Sequence, residues 1–447
     1  MLTSPRRLLV LDDDPTGSQC VSHVQVAFEE DAALIATTLK EPSSTCFVLT
    51  NTRALDEPEA VAKNRRILAG VLAERGAEGL HLVSRSDSTL RGHVIAEPNA
   101  LADTLAEAGV ETDAFLFCPA MIEAGRFTED NIHYAVVDGQ PLPVEDTDFA
   151  RDATFGYKTS DLTAFLEEKS GGAIAAADVM TLSLTEIRNG GVEAVKEKLA
   201  GAYNRQWVVI NATDYADMEI VADAVTQLES TGKVFITRCG PSFVRPLAGQ
   251  QGANVLTPES ITLENDHLPH GLLVVGSHVG LTTAQLAEVQ ASSGLAEFEL
   301  QVEKLLDPAA RAPHLDEVVD AVRAGLETND CVVYTSRTLI STDDPTESLA
   351  IARSVSDAVV EVVQRVRSAR PAWVIAKGGI TSHEVAHKGL GIRLATAEGQ
   401  FFPGQISLFT PQDAPTEVLG SPYVVFPGNV GGRTALAEVV ARLKSAA

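Results

Sequence analysis

Short unbroken apolar runs recur along this chain, and between them apolar residues return every three or four positions. RLLVL (7–11), CFVLT (46–50), GLHLVS (79–84), AFLFC (114–118), QWVVI (206–210) and KVFIT (233–237) form a first series. Runs without polar alternation read as strands covered on both faces. Spaced by helical stretches, they predict a parallel sheet with helices on either side. After Arg238 the pattern loosens into CGPSFVRPLAGQQGANVLTPESITLENDHLPH, rich in Gly, Pro and polar residues, which places a domain junction within 250–270. A second series follows, GLLVVGS (271–277), CVVYTS (331–336), WVIAKGG (373–379) and ISLFT (406–410), with helices predicted over 282–292, 346–369 and 431–444. The expectation is an α/β protein of two domains, 1–255 and 256–447, each a largely parallel sheet flanked by helices. Residues 119–160 break the alternation, and an irregular insert of that length reads as a ligand lid or an interface.

Composition narrows the function. With 35 Lys plus Arg against 61 Asp plus Glu, the formal net charge is -26, which repels nucleic acid and anionic lipid, so any anionic ligand must be held by local donors. Nucleic acid and membrane are excluded as partners, and no run of about eighteen apolar residues occurs. The five cysteines, Cys20, Cys46, Cys118, Cys239 and Cys331, form no CxxC pair. That spacing argues against a disulfide framework and a zinc site and fits a reducing cytoplasm. A homo-oligomer is compatible with this surface.

In open α/β sheets ligands bind beyond the carboxyl ends of strands. The first strand ends in Asp12, Asp13 and Asp14, followed by PTGSQ. Adjacent carboxylates there raise one another's pKa unless cations or hydroxyls compensate, an arrangement more common at active sites than in plain turns. SRSDSTLRGH (84–93) brings Arg85, Asp87, Ser88 and Arg91 to another strand end, and Arg53 follows CFVLT. Cations, a carboxylate and a hydroxyl so close together suit a small ligand with a carboxylate and hydroxyl groups.

The second half repeats a different chemistry. WVIAKGGITSHEVA passes from a buried strand into Gly378 and Gly379, with Thr381 and Ser382 at a helix start. Gly276-Ser277 precedes Thr282-Thr283, and Gly428 with Gly431-Gly432 precedes the final helix. Backbone N–H groups unobstructed by side chains make phosphate cradles, and three such turns favour a nucleotide. No GxxxxGK[ST] is present, so this is not a P-loop.

The ordered set of these motifs resembles the four-carbon acid sugar kinase family over nearly the whole chain. The carrying residues are Asp-Asp-x-Thr-Gly at 13–17, Asp-Ser-Thr at 87–89, Gly-Ser at 276–277, Lys-Gly-Gly-x-Thr at 377–381 and Pro-Gly-Asn at 427–429. The resemblance implies an N-terminal domain that binds the sugar acid and a C-terminal domain that binds ATP. The implied reaction phosphorylates the terminal hydroxyl of a four-carbon acid such as threonate, erythronate or 3-oxo-tetronate. It places substrate contacts on Asp13, Asp87 and Ser88, and the strand-end arginines Arg53, Arg85 and Arg91, read from the residues themselves, join them. Nucleotide contacts fall on Ser277, Gly378, Gly379, Ile380, Thr381 and Gly428. Asp14 is the expected general base, with Mg2+ accompanying ATP and its protein ligands unassigned. The chain departs from the family pattern at Asp12, Pro15, Ser18 and His278.

Two rival readings stand beside this one. Asp12-x-Asp14-x-Thr16 matches the nucleophile motif of haloacid-dehalogenase-type phosphatases, with Asp343 and Asp344 as a distant acidic pair. A non-catalytic sugar-acid sensor would keep the arginines and leave the glycine turns unused.

Overall fold

The computed structural model describes residues 6–14, 16–264, 266–277, 279–292, 294–337 and 345–446. Pro15, His278, Asp343 and Asp344 lie outside them. The chain divides into two compact units, Met1–Gly252 and Ala253–Ala447.

In the first unit the apolar runs become strands β1 (Arg7–Asp12), β2 (Val24–Ala27), β3 (Thr45–Leu49), β4 (Leu80–Arg85) and β5 (Ala114–Cys118). A side sheet of β6 (Arg126–Glu129), β7 (Ile132–Val137) and β8 (Gln140–Pro143) comes next. β9 (Met180–Leu182), β10 (Gln206–Ile210) and β11 (Phe235–Cys239) complete the main sheet. Its order is β2-β3-β1-β4-β11-β5-β10-β9, parallel throughout. Leu9, Val10, Phe47, Phe115 and Ile236 are buried on it, each side chain contributing about 1.5–3 kcal/mol through removal from water. Several of the helices between the strands start where an aspartate or serine accepts a backbone N–H, as Asp56 does from Glu59 and Ser183 from Glu186.

The segment 119–160 is not irregular as its composition suggested. It folds into the antiparallel β6-β7-β8 meander with short 3-10 turns, because Gly125 (φ 68°) and Asp130-Asn131 and Asp138-Gly139, all at positive φ, close its tight reversals.

The second unit carries β12 (Leu272–Val275), β13 (Ala296–Leu300), β14 (Cys331–Thr335), β15 (Val374–Lys377), β16 (Leu394–Phe402), β17 (Gln405–Asp413) and β18 (Tyr423–Phe426). Its order is β13-β14-β12-β15-β18-β17-β16. The first five strands are parallel, but β17, which holds ISLFT, runs antiparallel to both neighbours. A tight turn at Pro403-Gly404 forces that hairpin, with Gly404 at φ 65°. Trp373, Phe401, Phe426 and Leu436 pack in the core. A helix not expected from the sequence, Arg311–Leu326, precedes β14, and the last helix starts at Ala435 rather than 431.

Candidate functional site

β1 lies between β3 and β4, so Asp12 pairs in register with Leu49 on one side and Arg85 on the other. The carboxyl end of the strand therefore delivers three aspartates into a ring of arginines. Asp12 is wholly buried and accepts from Arg85 Nη1 at 2.6 Å and from the Asp14 backbone N–H at 3.0 Å. Burial raises its pKa to about 7, against the pull of Arg85. Arg85, 3% exposed, gives its other terminal nitrogen to Gln19. It thus neutralises Asp12 and does not present a free face to a ligand, as its strand-end position had suggested.

Asp13, also buried, accepts from Ser86 Oγ at 2.6 Å, with Arg53 at 3.9 Å and Arg238 at 4.0 Å. Burial raises its pKa as well, opposed first by Arg53. Its Oδ1, like Asp12 Oδ2, has no hydrogen-bond partner among the described residues. Asp14 differs, with a side chain 23% exposed. It accepts from Thr16 N–H at 2.8 Å and Thr16 Oγ1 at 2.5 Å, and it is ion-paired with Arg53. Burial pushes its carboxyl up, but Arg53, Arg85 and Thr16 prevail and hold it down at about 2.

After β4, Asp87 accepts from Arg91 Nε at 2.7 Å and from Thr89, and Arg53 Nη1 stands 3.4 Å away. Burial acts against ionisation of Asp87, but Arg53 and Arg91 outweigh it and lower its pKa. Ser88 is buried, with its hydroxyl 3.7 Å from Met121 sulfur. The loop is braced by the 119–160 insert. His133 Nε2 donates to the Ser88 carbonyl at 2.8 Å while Nδ1 meets Thr128 Oγ1 at 2.9 Å, and Tyr157 donates to the Thr89 carbonyl at 3.0 Å. Burial holds His133 at a pKa of about 4, so it is a neutral brace near pH 7. Arg53, Arg85, Asp87, Ser88, Arg91, Asp13 and Asp14 are thus one cluster.

Sequence reasoning missed the layer beneath. Arg238, inside β11 and 1% exposed, donates to Ser84 Oγ at 2.7 Å, Ser86 Oγ at 2.6 Å and Glu97 Oε2 at 2.6 Å. Glu97 stands in the first turn of the helix Ala96–Glu107 and is itself buried. The only hint was an arginine directly after the apolar run KVFIT. Gly92 completes the packing: at φ 112°, a Cβ there would stand 2.8 Å from Asp13 Oδ2 and 3.1 Å from Arg238 Nη2.

In the second unit β15 lies between β12 and β18, pairing Val275, Lys377 and Phe426 in register. The three glycine turns that follow these residues consequently converge. A Cβ on Gly276 would meet Thr381 Oγ1 at 2.6 Å, one on Gly378 would meet Ser277 Cβ at 3.2 Å, and one on Gly428 would meet Ser277 Oγ at 3.3 Å. Gly378 (φ 126°) precedes the short helix Gly379–Glu384, where Ile380 is exposed. Ser382 instead ties the turn down, donating to the Ala376 and Gly378 carbonyls. Thr282 is likewise structural, donating to the Gly428 carbonyl at 3.1 Å. Arg337 holds the Ser277 carbonyl and Thr283 Oγ1, both at 2.7 Å. Lys377, fully buried, donates to the carbonyls of Pro427 at 2.6 Å and Gly428 at 3.0 Å, and burial lowers its pKa to about 7. The N–H groups of Gly276 and Gly378 are spent on the Lys377 and Phe426 carbonyls, so it is the absence of side chains at the turns and the Lys377 and Arg337 cations under them that suit phosphate oxygens.

Residues 8–247 match the model of a sugar-binding N-terminal domain, and residues 272–436 that of a nucleotide-binding C-terminal domain. The D-erythronate kinase of Heliobacterium modesticaldum is 28% identical over 280 residues, covering 61% of this chain and 56% of that protein. The chain thus aligns with little more than half of that relative's length. Haemophilus influenzae protein HI1011 superposes with a TM-score of 0.65 at 17% identity, covering 97% of this chain and 99% of its own. A solved structure from Salmonella typhimurium LT2 gives 0.67 at 16% identity, covering 97% and 98%. At such identities the likeness is one of fold.

Proposed function

This chain belongs to the four-carbon acid sugar kinase family, and from that premise we propose that it transfers the terminal phosphoryl group of ATP to the terminal hydroxyl of a four-carbon sugar acid of the threonate, erythronate or 3-oxo-tetronate type. One observation carries the reading. The unit that matches the sugar-binding model ends its strands in a carboxylate–arginine cluster, and the unit that matches the nucleotide-binding model ends its strands in converging glycine turns. Carboxylates can accept hydrogen bonds from sugar hydroxyls, arginines can hold the acid group, and glycine turns without side chains leave room for phosphates beside Lys377 and Arg337.

In this reading Asp13, Asp87, Ser88, Arg53 and Arg91 surround the sugar acid, with Arg85 balancing the charge of Asp12. Ser277, Gly378, Gly379, Ile380, Thr381 and Gly428 line the nucleotide site. Asp14 is the general base, since it alone of the three aspartates is appreciably exposed. Its low pKa makes it a weak base, which suffices where phosphoryl transfer is loose and depends on positioning more than on early proton removal. Mg2+ would neutralise phosphate charge. Among the described residues no group of three or more His, Cys, Asp or Glu is placed to hold a metal, so the ion would rest largely on the nucleotide phosphates, a usual mode for Mg2+.

The phosphatase alternative requires Asp12 as nucleophile, yet Asp12 is 0% exposed and bonded to Arg85. The test is a screen of threonate, erythronate and 3-oxo-tetronate stereoisomers with ATP and Mg2+, following ADP and sugar phosphate. One acid should give stoichiometric ADP. Phosphate release from sugar phosphates without ATP, and no ADP from any acid, would overturn the reading.

A further inference from the structure

The cluster in the first unit is nearly self-neutralised. Arg85 is spent on Asp12, Arg53 on Asp14 and Asp87, Arg91 on Asp87 with Asp152 at 3.7 Å, and Arg238 on Glu97. A sugar acid arriving there must displace one of these carboxylates to find a cation. One guanidinium beside the cluster has no such commitment. Arg126, the first residue of β6, has no carboxylate within 4.0 Å and no side-chain hydrogen bond among the described residues, and its Nε is buried without a partner. Its guanidinium carbon lies 5.7 Å from the centroid of the Phe149 ring, and that of Arg91 lies 5.4 Å from the same centroid. Arg126 and Arg91, which clasps Asp87, thus both lie within cation–π range of the one Phe149 ring.

The position is built, not incidental. Arg126 exchanges backbone hydrogen bonds with Met121 at 2.9 and 3.0 Å, and Gly125 enters the hairpin at φ 68° against Val136. Burial lowers the pKa of Arg126 and the like charge of Arg91 adds to this, while Asp87 offsets them from beyond ion-pairing distance. We propose that Arg126, on the side sheet, is the residue that binds the carboxylate of the sugar acid and so sets the preference for acids over neutral sugars. The proposal rests on the kinase reading above and adds to it the group that recognises the acid. Arg91 and Arg53 then serve to hold Asp87 and Asp14 in place.

Calorimetry and kinetics on the full chain test this with Arg126→Gln and Arg126→Lys, using the best four-carbon acid and its neutral alditol as competitor. Arg126→Gln should raise the acid's Kd and KM about 10- to 100-fold, leave the KM for ATP and the alditol's Ki unchanged, and melt within a few degrees of the parent. Arg126→Lys should recover part of the loss, since it keeps the charge without the planar fork. A folded Arg126→Gln that binds the acid as well as the parent, or loses acid and alditol equally, would overturn the proposal. A parent protein that binds no four-carbon acid would instead bring down the kinase reading.

Discussion

At the scale of single residues, side-by-side aspartates persist because each has a different partner, and the partners make them chemically unequal. Asp12 is pushed up to about 7 by burial, whereas Asp14, beside Arg53 and Thr16, is held near 2. An aspartate ionised at every physiological pH, and reachable, is fit to orient a hydroxyl and take its proton as the bond to phosphorus forms. Asp14→Asn keeps the shape and the Thr16 contacts but cannot accept the proton. We expect kcat to fall roughly 10²- to 10⁴-fold while calorimetric binding of the sugar acid persists. An Asp14→Asn enzyme with full turnover would move the base elsewhere in the row. The residue types here were legible in the sequence, because three carboxylates after an apolar run are conspicuous. Their inequality was not, since Arg53, Arg85 and Arg238 come from three other strands or their ends and no spacing reveals which aspartate each will meet.

At the scale of elements, function depends on strand ends that the sheet order brings together. Gly276, Gly378 and Gly428 are far apart in sequence, and they converge only because β15 lies between β12 and β18. Gly378 bears most of the local constraint. At φ 126° a side chain is strained, and a Cβ would press on Thr381 Oγ1 at 3.0 Å and Ser277 Cβ at 3.2 Å. Gly378→Ala should therefore weaken ATP binding about tenfold or more and cost at least about 1 kcal/mol of stability. Gly252→Ala, outside these turns, where a Cβ meets nothing within 4 Å and no positive φ is involved, is the control and should change neither. Equal ATP affinity in the two variants would argue against the glycine turns as the phosphate site. The long apolar strands were readable because a doubly covered parallel strand leaves a continuous hydrophobic run. What escaped was short or amphipathic: β2 is four residues, β9 three, and β13 alternates as AEFEL. The side sheet escaped too, since β6 is only four residues and carries charge at both ends while β8 is mostly exposed and carries two prolines, and with it went any view of Arg126.

At the scale of the whole molecule, charge opposes the proposed chemistry. A protein of net charge -26 offers an anionic sugar acid and a nucleotide a repulsive field at long range, so the attraction must come from a few local cations. These two contributions respond differently to salt. Exposed charges are screened over about 30 Å at 0.01 M ionic strength and about 10 Å at 0.1 M, whereas partly buried pairs such as Arg126 with a bound carboxylate are screened much less. Raising an inert salt from about 10 to 150 mM should thus remove repulsion faster than attraction. The KM for the sugar acid should fall, by about twofold, instead of rising as it would for a site governed by an exposed basic patch. In Arg126→Gln the same titration should give an equal or larger relative fall, because the repulsive field remains while the principal local attraction is gone. Steady-state kinetics at fixed free Mg2+ and saturating ATP check both statements. A KM that rises several-fold across this range in the parent protein would mean that weakly buried cations dominate capture, and the division between a repelling surface and a shielded arginine would have to be abandoned.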